Sequence, residues 1–332
     1  MTNRHPGSLT DHLDLDKDHF LDLLALAAEL KRDKADRCET PRLSGAEIVL
    51  VFEKHSTRTR CAFEVAAHDQ GAHVTYLGPD DTHINREESV PDTARVLGRI
   101  YDGIAFRGFA QKTVDDLAAH SGVPVWNALT DEWHPTQMLA DVLTMTEHSP
   151  GTLEEIAFCF TGDGRNNVAR SLLLTGAILG MDVRIAAPAD RQPPAELVRL
   201  AVDTARTSGA RVRVTDDVKT AVLDADFVYT DVWVSMGDPD DAWKTRLPSL
   251  LPYRVTADLL RAFGKPDAKF MHCLPALHNR DTELGARLFD QYGLVGAEVT
   301  EEVFESARSI VFDQSANRMP TIKAVLLRAL AG

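Results

Sequence analysis

Apolar residues recur along this chain with two different periods, and the alternation between them lays out an architecture. Phe20, Leu23, Leu24, Ala27 and Leu30 fall at helical spacing within residues 18–34, which predicts an amphipathic opening helix. Short apolar runs follow. Residues 48–52, 73–77, 103–106 and 123–126 read as strands, with helical patterns over 91–101 and 112–119 between them. Strands that alternate with helices predict a parallel sheet covered by helices on both faces. A further helix over 135–147 runs into His148-Ser149-Pro150-Gly151, where the Pro-Gly pair breaks the chain. A second alternating series has strands at 156–160, 183–187, 212–214, 227–230 and 269–272, and a helix over 318–331 closes the chain. The expected fold class is α/β: two domains, 1–149 and 150–316, each a mostly parallel sheet flanked by helices, followed by a C-terminal helix at 317–332.

Composition agrees with this layout and narrows the function classes. A length of 332 residues suffices for two domains, each with its own core. Apolar residues at 44% and charged residues at 26% are those of a globular chain in water. The net charge of -14 argues against nucleic acid or an anionic membrane as a general partner, so any anion site has to be a local concentration of arginines. The first seven residues, Met1 to Gly7, lack the apolar core of a secretory signal, and no stretch approaches the length of a membrane span; a cytoplasmic location is expected. Cys38, Cys61, Cys159 and Cys273 are dispersed, and the twelve histidines show no HExxH spacing. No disulfide framework, metal or cofactor is therefore expected.

Ser56-Thr57-Arg58-Thr59-Arg60 follows the strand at 48–52 and opens a helix. A helix N-terminus offers unpaired backbone N–H groups, to which these hydroxyls and guanidinium groups add donors suited to phosphate. By itself the stretch reads equally as an ordinary N-cap with two solvated arginines. Arg107 ends the strand over 103–106, at the end of a parallel strand where α/β proteins bind ligands, although many such arginines merely face solvent. His134 precedes Pro135 at a helix start, where the macrodipole disfavours a charged ring and leaves a neutral donor able to polarise a carbonyl; a plain helix start is the alternative. Thr161-Gly162-Asp163-Gly164-Arg165-Asn166-Asn167 opens like a dinucleotide fingerprint. Asn167 stands where the third glycine belongs, however, and the next strand runs into Pro188 with no acidic residue at its tip, so NAD binding is not expected. Asp231 begins a polar loop that reaches to Pro252 and has the length of a lid. His272 and Cys273 are adjacent, and neighbours on a strand point to opposite faces, so His272 is not expected to serve as a base for a Cys273 nucleophile.

Phe52-Glu53-Lys54-His55-Ser56-Thr57-Arg58-Thr59-Arg60 resembles the carbamoyl-phosphate signature of the aspartate/ornithine carbamoyltransferase family, and later segments match over nearly the whole chain. The Asp-x-x-x-Ser-Met-Gly pattern at Asp231, Ser235, Met236 and Gly237 is the mark of that family's ornithine branch. The resemblance implies carbamoyl phosphate held by Ser56, Thr57, Arg58, Thr59, His83, Arg107, His134, Gln137, Leu274 and Arg318, with His83 reaching in from a neighbouring subunit. It implies L-ornithine held by Asn167, Asp231, Ser235, Met236 and Cys273, and catalytic roles for Arg107, His134, Cys273 and Arg318. It further implies a homotrimer or a multiple of trimers, no cofactor, and a last helix that returns to the first domain. The sequence departs from the family's commoner pattern at His55, at Ile84-Asn85-Arg86 and at Pro320. A carbamoyltransferase acting on another amine such as putrescine, a dehydrogenase, and a non-catalytic relative are the alternatives; no ligand position has been lost.

Overall fold

The computed structural model describes residues 4–331 other than 83, 85, 86, 235–237, 240 and 264, so the expectations for His83, Ser235 and Met236 lie outside the described residues. The chain forms two compact units, Met1–Leu143 with Ala316–Gly332, and Thr144–Ser315. The division between them falls inside the helix Pro135–Glu147 rather than at the Pro150-Gly151 break, so no change of composition marks it.

The first unit is built on β1 (Glu47–Phe52), β2 (His73–Leu77), β3 (Gly103–Arg107) and β4 (Val125–Leu129), all parallel, in the order β2-β1-β3-β4. The inner strands β1 and β3 are buried at almost every position, which is why they read as unbroken apolar runs rather than alternating ones. Val49, Val51, Ile104 and Phe106 pack with Val114 and Leu117 to form the core on one face. The strand expected at 123–126 begins two residues later and runs to Leu129. Pro124 has no N–H for a ladder, and the polar Asn127 is accommodated because its amide donates to the Thr10 carbonyl at 2.9 Å. The N-terminal segment lies along this edge, with Leu9 bonded on both sides of its peptide to Val125 and Asn127.

The helices of this unit are α1 (Lys17–Ala35), α2 (Thr57–Asp69), α3 (Val90–Leu97), α4 (Gln111–His120) and α5 (Pro135–Glu147), and the C-terminal helix Arg318–Leu330 packs on α1 and α2. Lys323 in that helix is fully buried. It bonds Asp69 at 2.8 Å and also Glu39, while Lys34 reaches the same Asp69 oxygen. Removing Lys323 leaves Asp69 with Lys34 and Glu39 with Gln70 but takes away the buried cation between them, so Lys323→Met is expected to cost about 3 kcal/mol in chemical denaturation. A loss below about 1 kcal/mol would mean that apolar packing replaces the network. Burial alone would raise the Asp69 carboxyl, but bonds from Lys323 and Lys34 outweigh it and hold the group below its ordinary value. Its contribution to stability is therefore present above the ordinary carboxylate pKa and lost as pH falls through the lowered native one, and the variant should show a flatter acid limb.

The second unit carries β5 (Ala157–Thr161), β6 (Asp182–Ala186), β7 (Arg211–Thr215), β8 (Phe227–Tyr229) and β9 (Lys269–Met271), parallel in the order β7-β6-β5-β8-β9. The helix α6 (Asn167–Leu179) follows β5 and ends at Gly180, whose φ of 86° suits a residue without a side chain. In each sheet the strand order reverses once, between β1 and β3 and between β5 and β8. Adjacent strands there send their following loops apart, leaving a crevice at their carboxyl ends. Those two places hold the candidate chemistry.

Candidate active site

In the first unit the loop after β1 ends at Ser56, which caps α2 by accepting from the Thr59 N–H at 3.3 Å. Thr57, Arg58 and Thr59 make up the first turn of α2; Thr59 is buried and Arg58 is partly buried. Arg60 is committed elsewhere. Its guanidinium lies 3.9 Å over the Tyr76 ring and its Nε donates to Glu64 at 2.8 Å. The loop is tied to its neighbour across the sheet, since the Glu53 N–H donates to the Arg107 carbonyl at 2.8 Å and the Glu53 carboxylate accepts from the Phe109 N–H at 3.1 Å. Arg107 sits buried at the end of β3, at the reversal of strand order.

Arg318, the first residue of the C-terminal helix, joins this group from the far end of the sequence. Its Nη1 donates to Gln137 Oε1 at 2.7 Å and its Nη2 to Thr59 Oγ1 at 3.1 Å, with all three side chains buried. Gln137 is itself oriented by donating Nε2 to the buried Asp141 at 2.7 Å. His134 is buried one residue before α5, and its pKa lies well below the ordinary value, first because burial penalises the cation and then because Arg318 and Arg107 repel it. The neutral ring anticipated from the helix dipole is thus favoured here mainly by burial. His12 in the N-terminal segment was not singled out by any motif; it meets Trp133 edge-on at 5.2 Å, and burial brings its pKa down to about 3.

In the second unit the turn after β5 is built around Asp163, which accepts from the Arg165 N–H at 3.0 Å and from Arg191 Nη1 at 2.9 Å. Gly162 has a φ of 133°, which residues with side chains rarely adopt, so the turn itself calls for glycine here. Asp231 follows β8, buried, and accepts from Cys273 Sγ at 3.2 Å and from Asn166 Nδ2 at 2.9 Å. Asn167 is the first residue of α6, partly buried beside that pair.

The argument from opposite strand faces does not hold for His272 and Cys273, because β9 ends at Met271 and both residues lie beyond it. Asp231, His272 and Cys273 each offer a donor atom within 4.8 Å of the others, spacing that a metal ion would also accept. Each of the three side chains also has a polar partner. His272 Nδ1 accepts from the Leu274 N–H at 2.9 Å and Nε2 faces the buried Glu298 at 3.4 Å, while the thiol is directed at Asp231. Cys273 therefore has the Asp231 carboxylate as a hydrogen-bonding partner. Leu274 is held at a φ of 59°, a left-handed conformation costly for a branched side chain. Glu298 was missed in the sequence because nothing near it repeats or carries a motif.

Comparison with known proteins matches this division of labour. Residues 8–147 match the carbamoyl-P binding domain, and residues 154–329 the Asp/Orn binding domain, of the aspartate/ornithine carbamoyltransferases. The ornithine carbamoyltransferase of Cutibacterium acnes is 56% identical over 100% of this chain and 99% of its own length, and the catabolic enzyme of Haemophilus influenzae is 54% identical over the same shares. Among solved structures, the ornithine carbamoyltransferase of Pyrococcus furiosus superposes with a TM-score of 0.90 at 38% identity, covering 99% of this chain and 98% of that one. The anabolic enzyme of Campylobacter jejuni superposes with a TM-score of 0.85 at 33% identity, covering 98% of each. With both halves of the sequence matched in order and the strand order reversing at both candidate sites, the chain belongs to the aspartate/ornithine carbamoyltransferase family.

Proposed function

We propose that the chain transfers the carbamoyl group of carbamoyl phosphate to the side-chain amine of L-ornithine, giving L-citrulline and phosphate. The observation that carries the choice of acceptor is the buried Asp231 carboxylate with the partly buried Cys273 thiol bonded to it, an anionic site fit for an amine, where aspartate as acceptor would need cations for its second carboxylate. Carbamoyl phosphate belongs to the first unit, with its phosphate on the N-terminus of α2 among Ser56, Thr57, Arg58 and Thr59. The neutral amine forms a bond to the carbamoyl carbon and gives up a proton, which the departing phosphate takes. The bond from that carbon to the phosphate oxygen breaks, and phosphate leaves with the electron pair. Charge that develops on the carbonyl oxygen meets Thr59, Arg107, neutral His134 and Arg318, while Gln137 and the Leu274 carbonyl hold the carbamoyl amide. No oxidation state changes, and the two substrates balance the reaction, so holding them in attack geometry supplies much of the acceleration.

An acceptor panel with carbamoyl phosphate tests this reading: citrulline from ornithine should far exceed the products from putrescine, lysine and aspartate. A preference for putrescine would assign the chain to the alternative amine. Relatives named catabolic and anabolic both match, and the same residues would serve arginine synthesis and arginine breakdown.

Cys273 positions the amine in this scheme and forms no covalent bond. Cys273→Ser should retain turnover while the Michaelis constant for ornithine rises, because a hydroxyl still reaches Asp231 but is a far poorer nucleophile than a thiolate. A carbamoylated Cys273 seen by mass spectrometry after incubation with carbamoyl phosphate alone would overturn direct transfer.

The proposed assembly is a cytoplasmic homotrimer or a multiple of trimers, with His83 completing a neighbour's phosphate site. No helix among the described residues is long and apolar enough to cross a membrane. Mixing a His83→Ala chain with an Arg107→Ala chain should rebuild some intact sites in hybrid oligomers. Mixtures no more active than either parent would place His83 within its own chain's site or outside any.

A further inference from the structure

We infer that Asn166 is a positioning residue for the amine acceptor: its side-chain amide locks the Asp231 carboxylate onto the first turn of α6, so that Asp231 presents one oxygen in a fixed direction beside Cys273. The inference rests on the proposed role of Asp231 in holding the amine. Asn166 caps α6, with Oδ1 accepting from the Val168 N–H at 2.7 Å, and its Nδ2 donates to Asp231 Oδ2 at 2.9 Å. The other oxygen, Oδ1, faces Cys273 Sγ at 3.2 Å.

Both ends of the amide are specified by their partners. A backbone N–H only donates and a carboxylate only accepts, so the oxygen has to face Val168 and the nitrogen Asp231. Few side chains meet both demands. Aspartate would cap the helix equally well but would set a second carboxylate against the first, and like charges at that distance do not both persist. Serine caps well, but its single oxygen lies close to the backbone and cannot also reach Asp231. The turn that carries Asn166 is fixed in turn by Asp163, bonded to the Arg165 N–H and to Arg191, and the Asn166 N–H donates to the Asp163 carbonyl at 3.0 Å. A helix cap needs only an acceptor; the donor half of the amide is left for Asp231, and a purely structural cap would not require it.

The test uses the full chain and steady-state kinetics with both substrates, after the acceptor panel has identified the amine that the wild type uses. Asn166→Asp keeps the cap and reverses the donor, and is expected to raise the KM for that amine about 10–100-fold while the KM for carbamoyl phosphate moves less than about 2-fold. Asn166→Ser, which keeps a cap without the donor, should raise the same constant in the same direction and guards against misfolding of the first variant. Because Asn166 acts through Asp231, adding Asn166→Asp to Asp231→Asn should change the amine KM by no more than about 2-fold further. An unchanged amine KM in both single variants would overturn the inference, as would full additivity of the two substitutions or equal losses toward both substrates. Should the wild type prefer an amine other than ornithine, the functional reading falls, while the claim for Asn166 is judged on the KM of the amine actually used.

Discussion

Arg318→Met should lower kcat by about 10²–10³-fold, or about 2.7–4 kcal/mol, with a smaller change in the binding of carbamoyl phosphate. The guanidinium is buried, and two of its nitrogens are aimed by bonds to Gln137 and Thr59, groups that come from the starts of two other helices. Such an arrangement holds the cation in place before any substrate arrives. A fixed positive group contributes most where charge appears during the reaction, so its loss falls on the rate more than on ground-state binding. Methionine retains much of the volume, and the neutral Gln137 and Thr59 side chains lose one partner each rather than being left as buried charges. Thermal denaturation measured alongside should therefore change far less than the rate. A kcat within about 3-fold of the wild type would remove Arg318 from the reacting centre.

Asp231→Asn should raise the KM for ornithine about 100-fold or more and leave the KM for carbamoyl phosphate nearly unchanged. The substitution preserves shape but removes the charge, and it presents an N–H₂ group either to Cys273 or to the Asn166 amide, both of which now donate to the carboxylate. An amine approaching this position loses its charged acceptor and meets a donor instead. Carbamoyl phosphate is assigned, apart from the Leu274 carbonyl, to residues of the other compact unit, so its binding supplies an internal control. Equal rises in both Michaelis constants would point to general unfolding, and an unchanged ornithine constant would move the amine site away from β8. Determining the two constants in one series distinguishes these outcomes.

Much of the organisation was legible because it is local in the chain. An apolar run of five or six residues followed by a helical period specifies strand and helix, and repetition of the pair specifies a parallel sheet. Both sheets, all nine strands named here and the C-terminal helix lie within a few residues of their expected places. The helix start at Ser56 to Thr59 could be read because a cap and first turn use consecutive residues, and the place of Arg107 because a strand end is visible in the sequence. The strand expected at 123–126 missed its end for a reason that is not local: Asn127 is tolerated inside a strand because Thr10 and Gln111, distant in sequence, supply partners for its amide.

What the tertiary structure alone decided are the meetings between distant segments and the environments they create. Arg318 reaches Thr59 across 259 positions of sequence, and Asn166 reaches Asp231 across 65. No period or motif encodes such a pairing; it follows from strand order, which places the ends of β1 and β3, and of β5 and β8, side by side. Burial is likewise a collective property. The sequence of Lys323, in a helix that could have turned this residue to solvent, does not disclose its carboxylate partners, and the low pKa of His134 comes chiefly from what covers it. His272 and Cys273 could be named from the sequence. Which of them faces Asp231 depended on the chain leaving β9 one residue earlier, where the alternation of strand faces no longer governs direction.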